Sequence, residues 1–114
     1  MAHIDDQRVA RVLDALEAQY PGAQLLVNDP WSIYYLTGFY ADMFERFCGV
    51  LLARDCEPVI LVNALHQLPK YDNARVAYHT DTDVVTDAIV REIDPTKPLG
   101  IDTVMRSGFL MPLM

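Results

Sequence analysis

The sequence is poor in the residues from which most catalytic sites are built. Its 114 residues contain three histidines, two cysteines and two serines. Neither serine lies in a Gly-x-Ser-x-Gly elbow, and the five glycines are too dispersed to form a phosphate-binding loop. Cys48 lies in an apolar run and Cys56 lies between two acidic residues, so both are predicted to be reduced, unreactive thiols. The residue inventory excludes most nucleophilic and nucleotide-dependent enzymes.

Positive charge is also scarce. Nine Lys and Arg residues stand against 16 Asp and Glu, which gives a formal net charge of −7. Binding to a phosphate backbone needs clustered basic residues, so the composition argues against nucleic acid as a partner. No apolar run approaches the roughly 20 residues that span a bilayer, and the N-terminus lacks the basic flank and apolar run of a secretory signal. We therefore expect a cytoplasmic protein that binds neither nucleic acid nor membrane.

Metal ligands are not grouped in the sequence. A metal site needs ligands at matched spacing on rigid elements. His3 lies in a terminus that is predicted to be mobile, and His66 is followed four residues later by Lys70. His79 is predicted to end a strand ahead of a helix cap. No metal site is therefore predicted within this chain.

The helical patterns that are present begin at recognisable caps. Asp5 is predicted to cap an amphipathic helix whose apolar stripe runs from Val9 to Tyr20, with Ile4 and Val9 placed as a hydrophobic staple. A second, short helix is predicted over Trp31–Leu36, with Asp29 as N-cap, Pro30 at the first position and Gly38 closing it in a left-handed conformation. Further helical predictions are one or two turns between Asn63 and Lys70, a helix capped by Asp83 that ends before Pro95, and a last helix from Thr103 or Ser107.

Apolar runs between these helices predict the strands. The predicted strands are Gln24–Val27, Phe47–Ala53, Pro58–Val62, Arg75–His79 and Leu99–Asp102. The second and third are predicted to form an antiparallel hairpin through a four-residue connection over 54–57. Helices that alternate with strands, one hairpin among them, indicate an α/β fold with a mixed β-sheet covered by helices.

The sequence ends on an apolar run, residues 109–114, without a charged residue. An apolar tail with nothing to pack against is unfavourable in a soluble domain. One interpretation is that the tail docks on the domain's own core. The other is that the chain is a fragment, cut as it enters a second domain.

Residues 28–49 contain more than half of the aromatic residues of the chain. A short helix that packs Ile33 and Leu36 inward, followed by a surface loop, explains part of this segment. It does not explain why the loop itself is aromatic beside a charged pair. Aromatic residues with an arginine are typical of an interface or the rim of a binding pocket. The candidate substrate-rim or dimer-interface residues are Phe39, Tyr40, Phe44 and Arg46.

The stretch Ile33-Tyr34-Tyr35-Leu36-Thr37-Gly38-Phe39 resembles the YLTGF signature of the N-terminal domain of the creatinase, prolidase and aminopeptidase P family. Other matches follow in the family's order: the opening helix, the Arg46-Phe47 entry to a strand, the Pro58–Val62 run and the closing Leu99–Asp102 strand. The resemblance implies that residues 1–114 are a single creatinase/prolidase N-terminal domain. It also implies a mixed sheet of ribonuclease H-like topology and a C-terminal pita-bread catalytic domain that is absent from this chain.

The resemblance further implies a function for the full-length parent. Members of the family hydrolyse Xaa-Pro bonds, or small amides such as creatine, with two divalent metal ions (Mn, Co or Zn) held by two Asp, one His and two Glu in the catalytic domain. By resemblance, this chain holds no catalytic or metal-binding residue and is inactive alone. The parent is then a cytoplasmic, metal-dependent Xaa-Pro dipeptidase, and this domain serves dimerisation and active-site gating. The implied partners are its own catalytic domain, a second copy in a homodimer, and the dipeptide substrate at the rim.

The resemblance leaves three alternatives open. Arg46 is expected to meet a substrate carboxylate, where a guanidinium gives bidentate geometry, but a salt bridge to Asp42 or Glu45 fits the sequence equally well. The domain could also be an interaction module of a family member that has lost its metal ligands. A creatinase-like parent that hydrolyses a small amide is the third alternative.

Overall fold

The computed structural model describes residues 2–39, 47–54, 56–64, 68–80 and 84–101. Within these ranges, the chain forms three helices and five strands. Their bounds are α1 Asp6–Gln19, β1 Gln24–Val27, α2 Pro30–Thr37, β2 Cys48–Ala53, β3 Cys56–Asn63, β4 Arg75–His79, α3 Val85–Glu92 and β5 Leu99–Ile101.

The strands form one mixed sheet in the order β4-β3-β2-β1-β5. The neighbouring pairs β1–β2 and β2–β3 are antiparallel, whereas β3–β4 and β1–β5 are parallel. Strands β1, β3 and β4 therefore run in the same direction and end at the same edge of the sheet. The predicted α/β fold with a mixed sheet is confirmed.

The two faces of the sheet are covered unequally. Side chains alternate along each strand, so one set points to each face. On the first face, β1, β2 and β3 pack against α1 and α2 through a large cluster that includes Ile33, Leu52 and Ile60. On the second face a smaller cluster packs around Ile89 of α3. Helices α1 and α2 thus cover one face, and α3 covers the other.

The hairpin between β2 and β3 is shorter than predicted. β2 ends at Ala53 as predicted, but Ala53 pairs with Cys56, so β3 begins two residues earlier than predicted and leaves a two-residue connection at 54–55. The prediction of a four-residue connection was wrong because the polar residues around Cys56 suggested a loop. Gly49 in β2 is needed for packing, since a Cβ atom there would lie 2.7 Å from the ring of Phe47.

Helix α1 begins as predicted. Asp5 is its N-cap, and one carboxylate oxygen accepts hydrogen bonds from the amides of Gln7 and Arg8 at 3.1 Å each. Ile4 and Val9 are both buried in the first cluster, as expected of a hydrophobic staple. Tyr20 differs from the prediction: it is the C-cap and is 60% exposed, so it does not belong to the buried stripe.

Helix α3 begins at a different residue from the predicted cap. Val84 occupies the N-cap and makes no side-chain capping hydrogen bond, whereas the predicted cap, Asp83, lies outside the described residues. The helix is held instead by burial of Ala88 and Ile89. Three further predictions concern residues that are not described. The central part of the predicted turns between Asn63 and Lys70 lies outside the described residues. The same holds for the whole of the last predicted helix, from 103 or 107, and for the apolar end 109–114. Across the described ranges, no helix combines the length and apolar character needed to cross a bilayer.

Candidate functional site

Helix α2 carries the signature segment, and its first turn is built as the sequence predicts. Asp29 is the N-cap, and its carboxylate accepts hydrogen bonds from the amide of Ser32 at 3.3 Å and from the Ser32 hydroxyl at 2.7 Å. Pro30 occupies the first helical turn, where an amide hydrogen is not needed. The start of this helix is therefore set by local chemistry.

The end of α2 is fixed by a tertiary contact as well as by a glycine. Gly38 adopts a left-handed conformation with φ of 76°, and its amide donates to the carbonyl of Tyr34 at 2.8 Å. The Thr37 hydroxyl donates to the Ile33 carbonyl at 2.7 Å and accepts from the Phe39 amide at 3.0 Å. The Tyr71 hydroxyl donates to the Thr37 carbonyl at 2.8 Å in a buried environment. The direction in which the chain leaves α2 is thus defined by four hydrogen bonds.

The outer surface of α2 is aromatic and exposed. Trp31, Tyr34 and Tyr35 are 68%, 51% and 48% exposed, whereas Ile33 and Leu36 are buried as predicted. The Arg8 guanidinium lies 4.1 Å from the centre of the Tyr35 ring and donates to the Tyr35 carbonyl at 2.6 Å. This aromatic face of α2, formed by residues 31, 34 and 35, is a candidate contact surface.

The predicted rim residues follow directly after this helix. Phe39 is half-buried and packs against the first core cluster, so its ring supports the end of α2. Tyr40, Phe44 and Arg46 lie outside the described residues, and their roles stay predictions. The chain re-enters the described structure at Phe47, which is 1% exposed and packs in the second cluster.

Buried polar side chains collect at the edge of the sheet where Phe47 re-enters. Asn28 follows β1, Asn63 ends β3 and His79 ends β4, and each is 2% exposed. The Asn28 amide donates to the Cys48 carbonyl at 2.7 Å. Asn63 and His79 are register partners in the parallel pair β3–β4. Carboxyl ends of parallel strands commonly position functional groups, and here they lie beside the point where the predicted rim segment joins β2.

The two cysteines differ in exposure, and neither forms a disulfide. Cys48 is 2% exposed, and burial raises the pKa of its thiol to about 12. It is therefore protonated and unreactive near neutral pH, as predicted. Cys56 is exposed at the start of β3.

No group of three or more His, Cys, Asp or Glu side chains that could hold a metal ion occurs among the residues that the structure describes. His79 ends a strand, as predicted, and His66 lies outside these ranges. The structure places His3, in the terminus that is predicted to be mobile, against the stretch before β4. Its Nδ1 atom lies 2.7 Å from a carboxylate oxygen of Asp72, and the amide of Ala2 donates to the Lys70 carbonyl at 2.8 Å. The described residues offer no place for a two-metal centre.

Several residues at this site were not singled out from the sequence. The exposed aromatic face follows the i, i+3, i+4 spacing of one helical surface, so helical periodicity could have identified it. Tyr71 lies 34 residues from Thr37, and no local pattern points to that contact. The shared position of Asn28, Asn63 and His79 follows only from the strand order.

Sequence comparison identifies the family. The sequence model of the Creatinase/Prolidase N-terminal domain matches residues 8–111. No curated protein is significantly similar to the chain in sequence.

Solved structures share the fold. The creatinase/prolidase N-terminal domain of an X-Pro dipeptidase from Streptococcus pyogenes has a TM-score of 0.79 at 21% identity, over 96% of this chain and 86% of that chain. For a proline dipeptidase from Streptococcus pneumoniae the TM-score is 0.75 at 23% identity, over 93% and 82%. A prolidase from Thermococcus sibiricus gives 0.71 at 18% identity, over 95% of this chain but 31% of that chain. These TM-scores show a common fold. Because the family match spans most of the sequence, the chain belongs to the creatinase/prolidase N-terminal domain family.

Proposed function

We propose that this chain is the non-catalytic N-terminal domain of an Xaa-Pro dipeptidase, in which it serves dimerisation and gates the active site. The observation that carries the proposal is the match, over most of both chains, to the N-terminal domain of an X-Pro dipeptidase. In this proposal the chemistry belongs to a catalytic domain outside residues 1–114, which binds two divalent metal ions (Mn, Co or Zn). This chain covers 31% of the Thermococcus prolidase, so the remainder of that protein is long enough to contain such a domain.

The exit from α2 supports the gating part of the proposal. Gly38, Thr37 and Tyr71 direct the chain out of the helix through short hydrogen bonds, and Phe39 is anchored against the core. A segment that begins at a rigid point can present its later residues reproducibly. We propose that Phe44 and Arg46 use this support to reach the substrate rim, with Arg46 pairing with the substrate carboxylate.

The aromatic face of α2 supports the assembly part. Three aromatic side chains, about half exposed or more, lie on one surface of a helix whose other surface is buried. Tyr and Trp are enriched in protein interfaces because they bury a large area with few rotatable bonds. We propose that this face contacts the second subunit of a homodimer.

Activity measurements test whether hydrolysis requires the catalytic domain outside residues 1–114. The chain alone, incubated with Mn²⁺ and an Xaa-Pro dipeptide, is expected to show no hydrolysis, whereas its full-length parent hydrolyses the same dipeptide and loses this activity on chelation. Metal-dependent turnover that copurifies with the folded chain would contradict the proposal. A parent that hydrolyses creatine or another small amide instead, or nothing at all, would also contradict it.

The rim role of Arg46 is tested in the parent. Arg46→Ala is expected to raise the KM for the dipeptide about tenfold or more, the size of a lost charge-assisted hydrogen bond, and to leave the fold intact. Arg54→Ala is the matched control, because Arg54 is exposed and paired with Asp14 in another part of the domain. An equal KM for the dipeptide in the two variants would show that Arg46 does not contact the substrate.

The assembly role is tested by light scattering after size exclusion. In the parent, Trp31→Ala combined with Tyr34→Ala is expected to shift a dimer toward monomer at micromolar concentration. Tyr20→Ala, which removes an aromatic ring of similar exposure from the end of α1, is expected to leave the dimer unchanged. A double variant that dimerises as tightly as the unmodified protein would exclude the aromatic face from the interface.

A further inference from the structure

The N-terminal segment is tied to the stretch that precedes β4. Ala2 and Tyr71 form a parallel bridge, in which the Ala2 amide donates to the Lys70 carbonyl at 2.8 Å and the Asp72 amide donates to the Ala2 carbonyl at 3.1 Å. The Asn73 side chain continues the contact, since it accepts from the Ile4 amide at 2.8 Å and donates to the Ile4 carbonyl at 2.7 Å. Residues 2–4 therefore lie along residues 70–73 like an additional short strand.

His3 lies within this contact between two carboxylates. Its Nδ1 atom is 2.7 Å from Asp72 Oδ1, and its Nε2 atom is 3.4 Å from Asp6 Oδ2. A neutral imidazole has one N–H donor, so one of its nitrogens would turn a lone pair toward a carboxylate. The doubly protonated ring donates on both sides. The two carboxylates lie next to different ring nitrogens. This arrangement favours protonation of both nitrogens and does not bring the two carboxylates together around one metal ion.

The other charged and polar groups around His3 have partners of their own. From α1, the Asp5 carboxylate is occupied by the helix cap and by Arg8, whose Nε lies 3.2 Å away. From the facing stretch, the Asn73 amide lies 3.5 Å from Nε2 and 2.9 Å from Asp6 Oδ1. The two carboxylates of Asp6 and Asp72 are thus the groups that stabilise the imidazolium.

We propose that His3 is a proton-controlled latch that holds residues 2–4 against residues 70–73 and thereby steadies the end of α2. The link to α2 is Tyr71, which follows Lys70 and donates its hydroxyl to the Thr37 carbonyl. When His3 loses its proton, its charge attraction to Asp6 and Asp72 is lost and the ring keeps a single N–H donor, so the bridge at Ala2 opens more often. Ile4 is fully buried, so the opening is confined to the residues before it.

The direction of the pH effect follows from the charges. The hydrogen bond to Asp72, helped by the charges of Asp72 and Asp6, raises the pKa of His3 above its ordinary value. A raised histidine pKa means that the stabilisation is complete below the ordinary histidine pKa and is lost as the pH rises through the raised value. The latch is therefore closed in acid and opens toward and above neutral pH.

Nuclear magnetic resonance of the chain tests this latch. The His3 ring signals are titrated, and exchange of the Ala2 and Asp72 amide hydrogens is measured from pH 5 to 8.5 and corrected for intrinsic exchange. Protection of these two amides is expected to fall about two- to fivefold through the His3 titration, the size of an exposed ion pair. His3→Gln is expected to remove this step, and Asp72→Asn is expected to lower the His3 pKa.

Asp14→Asn is the matched control, because it removes the same charge from the exposed surface of α1 without touching the latch. It is expected to leave the His3 titration and the protection step unchanged. A His3 pKa at its ordinary value in the unmodified chain, or protection that does not change with pH, would overturn the proposal. Equal effects of Asp14→Asn and Asp72→Asn would overturn it as well, since the cause would then be net charge.

Discussion

The inner and outer surfaces of helix α2, which is only eight residues long, differ in burial and in composition. The inner surface places Ile33, Leu36 and Thr37 in the core, whereas the outer surface leaves Trp31, Tyr34 and Tyr35 largely exposed. Apart from Trp31, these residues belong to the stretch Ile33–Phe39, whose sequence resembles the family signature. That stretch therefore has two parts: Leu36, Thr37, Gly38 and Phe39 build the fold, whereas Tyr34 and Tyr35 are available for contacts.

The largest effect is expected at the inner surface. Leu36→Ala should lower the free energy of unfolding by about 2–5 kcal/mol, because it removes buried methyl groups and leaves a cavity between α2 and the sheet. Chemical denaturation monitored by circular dichroism measures this change. Tyr34→Ala, on the outer surface of the same helix, should change the stability by about 0.5 kcal/mol or less. Similar losses in the two variants would mean that the surfaces are not distinct.

The next effect concerns the tertiary contact that secures the inner surface. Tyr71→Phe should cost about 1–3 kcal/mol, because it leaves the buried Thr37 carbonyl without the hydroxyl that donates to it. Denaturation gives the magnitude, and increased exchange of the Gly38 and Phe39 amides would localise it to the helix end. Tyr78→Phe, at an exposed tyrosine of β4, is the control and should be neutral.

A smaller effect is expected where the two surfaces end. Gly38→Ala should cost about 1–2 kcal/mol, because the left-handed conformation is unfavourable for a residue with a Cβ atom. Nothing lies within 4 Å of the position that this Cβ would occupy, so the cost belongs to the backbone alone. Gly38→Asn should retain more stability, since asparagine tolerates this conformation better. If both variants match the unmodified protein in thermal unfolding, the glycine is not required.

The smallest effect is expected at the outer surface. Arg8→Ala removes the stacking on Tyr35 and the hydrogen bond to its carbonyl, and should cost about 0.5–1 kcal/mol at low salt. Because these contacts are exposed, we expect the cost to shrink in 1 M NaCl, whereas the cost of Leu36→Ala should not. Denaturation at both salt concentrations distinguishes the two kinds of contact. A salt-independent cost for Arg8→Ala would show that its aliphatic stem packs as part of the core.

Local chemistry made several elements predictable from the sequence. Asp5 and Asp29 cap their helices through amides two or three residues away, and Gly38 ends α2 with its own conformation. The central strands β1, β2 and β3 were recognisable from apolar runs, because strands buried on both faces need them. The mixed α/β class followed from their alternation with helices.

Contacts between distant parts of the chain could not be predicted in this way. Gln24 resembles a surface residue at the start of a strand, yet it is 1% exposed, and its buried amide is satisfied by donating to the Asp94 carbonyl at 2.7 Å, 70 residues along the chain. His3 looked mobile because its partner Asp72 lies 69 residues away. The N-cap of α3 is Val84 and not the predicted Asp83, and burial of Ile89 on the sheet helps to hold that helix in place.

The amino-acid sequence by itself determined the starts of α1 and α2, most of the strand segments, the α/β class and, through the signature stretch, the family. These depend on interactions within a few residues, whose geometry is nearly the same in every protein. Tertiary structure alone decided the strand order, the contact of Tyr71 with α2, the grouping of Asn28, Asn63 and His79 at one edge, and the place of His3 between two carboxylates. Each of these joins residues that are far apart along the chain, so it arises only once burial of the two faces of the sheet has brought them together.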